Sequence, residues 1–480
     1  MTPSEALLEQ FVVEDTEVMF GIVGSAFMDF LDIMPKAGID YLAVRHEQNA
    51  AHMADGYAQA LRGEKPGVCV GQNGPGVTNM VTGIKAAQLN HSPVILLSPS
   101  ATTGSRGTDA FQEADQMSIF EDCVDWQGRL EDRSRIAEYV RTAHREALSQ
   151  KGPAQIDFPR DHLYGTIEAD VLRPHQYRND EIAGADDSEV AKAREMIADA
   201  DMPVIMAGLG AIYSDAQAEI AELAELLNAP VANSYLHNDS FPISHPLAVG
   251  ALGYGGSKSA MRLFSEADCV IAVGSRLSGF GLLPQYGRYW FPHDADIIQI
   301  DADPKQIGRT TQVELGLVGD AAQTVDTLVG MLGDDVGSPD SRVDHIAEDY
   351  RDWRDELEEM SSSDQTPIHP RRALWDVTEA LPDGTIVATD IGNTCSMANA
   401  YLEFDEPGNF LAAGTFGNCG FAYGAAIGAK VARPDAESVA FVGDGAWGMQ
   451  SMNEVMTCVR EGLDVNAVVF NNMEWGAEKQ

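Results

Sequence analysis

Asp444 stands between two glycines at the end of "SVAFVGDG", and Asn472 closes the later run "VNAVVFNN". A carboxylate and an amide oxygen are hard donors. Magnesium takes oxygens in octahedral geometry and shares them with substrate phosphates, so Asp444, the Asn472 amide and a nearby main-chain carbonyl could supply half a shell. Backbone N–H groups of a helix that starts after Asp444 would meet the phosphate. Taken singly, GDG is often a turn and NN a strand exit, but their spacing within one strand-helix-strand unit favours the ligand reading. A second candidate is Glu47 in "YLAVRHEQNAAHMADGYAQALRG". There an acid suits the helix dipole, and in a poorly solvated cleft it can also share a proton with a cofactor nitrogen.

The elements that must position these groups follow from the hydrophobic pattern. Glu47 follows a strand and opens a helix whose apolar side carries Ala50, Met53, Ala54, Tyr57 and Leu61. Met449, Met452, Val455, Met456 and Val459 mark the apolar face of one helix that stops at Gly462. Asp444 and Asn472 then fall at the carboxyl ends of parallel strands, where open αβ sheets bind ligands.

The same alternation runs through the chain and divides it into three blocks. Residues 1–165 hold "YLAVRHE", "GVCVGQN", "PVILLSP" and "PAQIDFP" as strands; residues 186–333 hold "PVIMAG", "PVANSY", "CVIAVGS" and "IIQID"; residues 370–480 hold "TIVATD", "SVAFVGDG" and "VNAVVFNN". The polar stretch "RPHQYRNDEIAGADDSE" links the first two. A charged helix with a mobile Ser-rich end, in "DDVGSPDSRVDHIAEDYRDWRDELEEMSSSDQTPIHP", bridges to the third. The expected fold class is α/β, with three doubly wound parallel-sheet domains, the third cut short at its C-terminus.

Composition bounds the partners. The chain has 480 residues, and 74 acids against 32 bases leave a net charge of −42. Such charge argues against nucleic acid or an anionic membrane as partner. Because the acids are spread through every segment, they read as a solvated surface suited to high salt, and hence a halophilic protein. The six cysteines, 69, 123, 269, 395, 419 and 458, have neither CxxC nor finger spacing, which favours reduced thiols in a cytoplasmic protein over disulfides or zinc. The first residues lack the basic region of a signal peptide, and no apolar run approaches the length of a membrane span.

Together, "HEQNAAHMADGYA", "GQNGPGVTN", "AFQEADQ" and the GDG-to-NN unit resemble the thiamine-diphosphate enzymes of the acetolactate synthase and pyruvate oxidase group. The resemblance spans the whole chain. It implies thiamine diphosphate and Mg2+ as cofactors, a pyrimidine-binding domain at 1–165, a central domain at 186–333 and a diphosphate-binding domain at 370–480. Glu47 would contact the pyrimidine N1′ across a subunit boundary and favour the imino tautomer, so a homodimer or homotetramer is implied. Asp444, Asn472 and the carbonyl of Glu474 would hold the metal, Gly445 and Ala446 the diphosphate at the helix start, and Asn393 and Thr394 the diphosphate from another loop. Cys419 stands where acetolactate synthases place a methionine beneath the bent cofactor; a small core thiol is the alternative. Ser25, Phe111 and Gln112 match positions on the reaction side, Gln112 as a catalytic group and the other two as substrate contacts.

Within the group, "NSYLHNDSFPISHPLAVGALGYGGSKSAM", "GNCGF", "GDGAWGM" and "EWGAEK" are similar to the branch that converts sulfoacetaldehyde and phosphate to acetyl phosphate and sulfite. Acetolactate synthases carry Arg-Phe-Asp-Asp-Arg where this chain reads "GSRLSGFG", without the second arginine. That absence weakens the acetolactate alternative, and the branch implies no bound flavin. Another carboligase or decarboxylase of the group, or an incompetent cofactor-binding subunit, are the competing readings. Two further motifs are weaker. "MAGLGAIYSDA" has two of three dinucleotide glycines and reads better as a helix packed on a strand, while His237 and His245 are candidate anion ligands or plain polar surface.

Overall fold

The computed structural model describes residues 1–287, 289–292, 294–333 and 341–479. Its strands form three sheets. The first contains β1 (Val18–Gly21), β2 (Asp40–Ala43), β3 (Gly67–Val70), β4 (Val94–Ser100), β5 (Trp126–Arg129) and β6 (Ala154–Pro159). They lie in the order β2-β1-β3-β4-β6-β5, and every neighbouring pair is parallel. β4 is buried along its whole length, as expected of a central strand covered by helices on both faces.

The second sheet contains β7 (Pro203–Ala207), β8 (Val231–Asn233), β9 (Ala248–Ala251), β10 (Cys269–Val273), β11 (Asp296–Asp301) and β12 (Leu315–Val318). Its order, β12-β11-β10-β7-β8-β9, is also parallel throughout. The third contains β13 (Ile386–Thr389), β14 (Phe410–Ala412), β15 (Ser438–Gly443) and β16 (Asn466–Phe470), in the order β14-β13-β15-β16. That order repeats the winding of the first four strands of the first sheet. The strands expected from the sequence are all present. β1, β5, β9, β12 and β14 were not anticipated.

The chain divides into two compact units. One comprises residues 1–180, 386–391 and 411–480; the other comprises 181–385 and 392–410. In the first unit the helix Glu47–Ala60 lies directly on the helix Phe421–Ala432. Glycines permit this approach: a Cβ at Gly56 would fall 2.2 Å from the Ala425 carbonyl oxygen, and one at Gly428 1.9 Å from that of Met53. The two helices therefore touch backbone to backbone, and Ala50, Met53, Ala54, Ala422, Ala425 and Ala426 fill the seam in one continuous core.

In the second unit, the charged bridge is a helix from Ser341 to Ser361 whose Ile346, Trp353 and Leu357 are buried. The beginning of that stretch, "DDVGSPD", lies outside the described residues. Asp239 is buried and accepts from the backbone N–H groups of Gly408, Asn409 and Phe410 at 2.8, 3.1 and 3.2 Å, so it ties a loop to the return towards β14. Burial raises its carboxyl to about 6, and the N–H donors oppose that shift. The two glycines of "MAGLGAIYSDA" pack as the sequence reading favoured: Gly210 N–H donates to the Gly274 carbonyl at 2.9 Å.

The third block requires one correction. Residues 444–461 form a helix Asp444–Met449, a 3-10 turn Ser451–Glu454 and a helix Val455–Glu461, with Gln450 (φ −150°, ψ −35°) breaking the first. Met449, Met452, Met456 and Val459 face outward and are more than half exposed. The buried side belongs to Ser451, Glu454, Thr457 and Cys458. The apolar periodicity was real, but a polar face turns inward, where it has backbone donors to satisfy. Gly462 ends the segment with φ +68°, as expected.

Candidate active site

Parallel pairing of β15 with β16 sets Gly443 opposite Phe470. Asp444 and Asn472 therefore emerge one and two residues beyond neighbouring strand ends. Asp444 is the first residue of its helix, with Gly445 and Ala446 following in the first turn. Asn472 Oδ1 accepts from the Glu474 N–H at 3.0 Å, and Asn471 Oδ1 from the Met473 N–H at 3.0 Å. These bonds fold the turn that carries Glu474, with Met473 at φ +57°. The Trp475 indole lies over the helix start, 3.2 Å from where a Cβ on Gly445 would sit. A side chain at that position would crowd the ring, which would have to shift by a few tenths of an ångström.

One carboxylate, one amide and a main-chain carbonyl are hard oxygen donors, and this set fits magnesium rather than a softer ion. Among the described residues no group of three His, Cys, Asp or Glu could hold a metal. A diphosphate would meet the free N–H groups of the first helical turn beside that set.

Glu47 opens its helix as expected and is 9% exposed. Its Oε2 accepts from Asn79 Nδ2 at 2.9 Å. A Cβ on Gly76 would come within 3.2 Å of its Oε1, so the loop "GQNGPGVTN" closes on the carboxylate from one side. The same loop gathers the reaction-side residues. Gln72 Nε2 donates to Gln112 Oε1 at 2.8 Å and to Ser25 Oγ at 3.4 Å. Asn73 Nδ2 donates to the Gln112 carbonyl at 3.0 Å and to that of Phe111 at 3.5 Å. Gln112 has φ +60°, a strained conformation for a non-glycine residue that these bonds hold in place. Below it, buried Gln116 accepts from Gly74 N–H at 2.7 Å and donates to Asp157 Oδ2 at 3.1 Å. Phe111 is 87% exposed, a large ring with no cover. Ser25, Glu47, Phe111 and Gln112 thus surround one loop.

Cys419 is half-buried, and burial, with Asp390 and Glu478 nearby, raises its thiol above the ordinary range. It sits in a loop pinned by buried Asp390, which accepts from Gly420 and Ala422 N–H at 3.0 Å each. Burial raises the Asp390 carboxyl to about 6 against those donors. Asn418, one residue before Cys419, meets His52 Nε2 at 3.2 Å; Gln48 meets the same nitrogen at 3.2 Å, and Gln450 reaches Gln48 at 2.7 Å. Full burial lowers the His52 ring to about 3 and keeps it neutral.

Asn393 and Thr394 belong to the second unit, where they begin the helix Asn393–Ala398 after Gly392 at φ +114°, rather than lying in a loop. His245 is engaged within the fold, accepting from Leu247 N–H at 3.2 Å and meeting Glu225 at 3.3 Å. Gln72, Asn73, Asn79 and Gln116 were not singled out from sequence. The signal for Gln72, Asn73 and Asn79 was the glycine-rich run itself, which exposes polar residues about a tight turn, and Gln116 closes the run "AFQEADQ".

Comparisons with known proteins bear on the site. Residues 1–119 match the thiamine pyrophosphate enzyme N-terminal TPP binding domain, 190–328 the central domain and 390–480 the C-terminal TPP binding domain. The chain is 45% identical over 499 residues to a sulfoacetaldehyde acetyltransferase of Castellaniella defragrans, covering 100% of this chain and 82% of that protein. It is 46% identical over 503 residues to one of Alcaligenes xylosoxydans xylosoxydans, with the same coverage. A probable acetolactate synthase large subunit of Methanococcus aeolicus is 33% identical over 497 residues, covering 99% of this chain and 81% of that protein.

Proposed function

We propose that this chain, which belongs to the thiamine pyrophosphate enzymes, is a thiamine-diphosphate- and magnesium-dependent acyltransferase that converts sulfoacetaldehyde and phosphate to acetyl phosphate and sulfite. The observation that carries the substrate is the identity of 45% with a sulfoacetaldehyde acetyltransferase over the whole chain, against 33% with an acetolactate synthase. The missing second arginine of "GSRLSGFG" supports the same choice.

The reaction balances without an external oxidant. The carbon–sulfur bond breaks with its electron pair leaving on sulfite, the methylene becomes a methyl group, and the aldehyde carbon rises to the acyl level. An oxygen of phosphate then forms the new bond to the acyl carbon. Thiamine diphosphate, when bound, supplies a nucleophilic carbon and an electron sink at the aldehyde carbon.

The protein's part is positioning and proton transfer. Glu47, steadied by Asn79, would hold a proton at its carboxylate for the pyrimidine ring, and a poorly solvated cleft would keep that proton from water. Asp444, Asn472 and the Glu474 carbonyl would hold magnesium, and Gly445 and Ala446 would offer N–H groups to the diphosphate; the family resemblance would add Asn393 and Thr394 as diphosphate contacts and Cys419 as a cofactor contact. Gln112 has its side-chain oxygen Oε1 occupied by Gln72, which would leave its NH2 for an anion beside Ser25 and Phe111.

We assign the cofactor-binding roles to domains 1–165 and 370–480, with 186–333 as the central domain. The working form is a homodimer or homotetramer in a salt-rich cytoplasm, and the outward apolar face of Met452, Val455, Met456 and Val459 suits a second copy of the chain. No helix among the described residues is long and apolar enough to cross a membrane. Acetyl phosphate that forms only with thiamine diphosphate, magnesium, sulfoacetaldehyde and phosphate together tests this reading. Free acetate formed at the same rate without phosphate would remove the acyltransferase assignment.

A further inference from the structure

We propose that Glu454 is a positioning residue for Glu47, a role that rests on the proton-transfer reading of Glu47 given above. Glu454 is completely buried. Its Oε1 accepts from the N–H groups of Arg45 and His46 at 2.9 and 3.3 Å and from Asn49 Nδ2 at 2.9 Å. Its Oε2 takes the Thr457 hydroxyl at 2.6 Å. One oxygen thus holds the two residues before Glu47 and one residue after it. His46 is the N-cap of the Glu47 helix, and its Nδ1 accepts from Gln48 N–H at 3.2 Å. The backbone that sets the direction of the Glu47 side chain is clamped from a segment more than 400 residues away in sequence.

A second tie points the same way. Arg460, six residues beyond Glu454, donates to the Ala43 carbonyl at the end of β2, so the same turn-and-helix segment grips both ends of the approach to Glu47. Asn79 fixes the far end of the Glu47 carboxylate while Glu454 fixes its root. A carboxylate at this place is favoured by the positive end of the helix dipole, and its donors replace the water lost on burial. It also explains the reversed face of residues 451–459. Met452, Val455 and Met456 could have packed inward, but an apolar contact tolerates sliding, whereas bonds to individual N–H groups fix one register.

The test compares Glu454→Ala and Glu454→Gln with the parent and with Glu47→Gln. Amide hydrogen–deuterium exchange of residues 45–49 is measured on protein without cofactor, and exchange of the thiazolium C2 proton and affinity for the cofactor are measured with magnesium. Glu454→Ala is expected to speed exchange of those amides and to slow C2 exchange by about tenfold, since small misplacements of a reacting group are costly, with cofactor affinity unchanged. Glu454→Gln retains an Oε1 able to accept the same three N–H groups, and is expected to restore both rates to within about threefold. Thr457→Val loosens Oε2 alone and is expected to shift both rates in the same direction, less far; it serves if the alanine variant does not fold.

Faster amide exchange with parental C2 exchange in Glu454→Ala, alongside loss of C2 exchange in Glu47→Gln, would overturn the proposal and leave Glu454 a purely structural residue. Unchanged amide exchange would overturn it as well. Parental C2 exchange in Glu47→Gln itself would remove the proton role of Glu47, and the positioning role with it.

Discussion

At the residue scale, the proposed roles of Glu47 in proton transfer and of Asp444 in holding the metal are separated by their variants. Glu47→Gln keeps the shape and one acceptor for Asn79 but cannot exchange the proton. Turnover is expected to fall by about 10²-fold or more, with most of the cofactor affinity retained. Asp444→Ala removes the charged donor; titration with magnesium should show weakened cofactor binding, and unchanged affinity would reduce GDG to a turn. His52 gives a pH-dependent difference. Its folded value, about 3, lies below the ordinary histidine value near 6.5, so the unfolded chain takes up a proton first as pH falls. The stability it contributes is complete above about pH 6.5 and declines below that, as the unfolded value is crossed. His52→Gln should therefore lose less melting temperature than the parent between about pH 7.5 and 5. Parallel curves would show that His52 does not titrate differently on folding. Asp444, Asn472 and Glu47 were legible because strand ends and a helix start are visible in one local window. Glu454 was not, because its partners Arg45, His46 and Asn49 are brought to it only by the packing of distant segments.

At the scale of elements, the contact between helices Glu47–Ala60 and Phe421–Ala432 is what places the start of the first helix. Gly428→Ala would drive a methyl group into the Met53 carbonyl and is expected to destabilise the protein by about 1–3 kcal/mol or more. Gly330→Ala, exposed in the helix Ala321–Leu332 with nothing within 4 Å of the added Cβ, is the control and should be neutral or stabilising by up to about 1 kcal/mol. Urea melts of the two variants decide it; equal midpoints would contradict the close approach. Long apolar strands such as β4 could be read directly, since seven buried residues leave a continuous signal. β5 reads Trp-Gln-Gly-Arg and is half-buried throughout, and β14 has three residues, too little for any period to show. The face of residues 449–459 misled for the opposite reason: its period is strong, but the partner that decides which side is buried is the backbone before Glu47.

At the scale of the whole molecule, a net charge of −42 presses against every compact state. Counterions at molar salt shorten the screening length to about 3 Å, so folding is expected to require high salt. Full native circular dichroism and an unchanged melting temperature in dilute buffer would contradict the salt-adapted reading. The chemistry is the larger claim. Paired assays on the holoenzyme, with thiamine diphosphate, magnesium and phosphate in high salt, address it most directly: sulfite released from sulfoacetaldehyde, and acetolactate formed from pyruvate. Stoichiometric sulfite and acetyl phosphate with no acetolactate are expected, and acetolactate without sulfite would contradict the acyltransferase assignment.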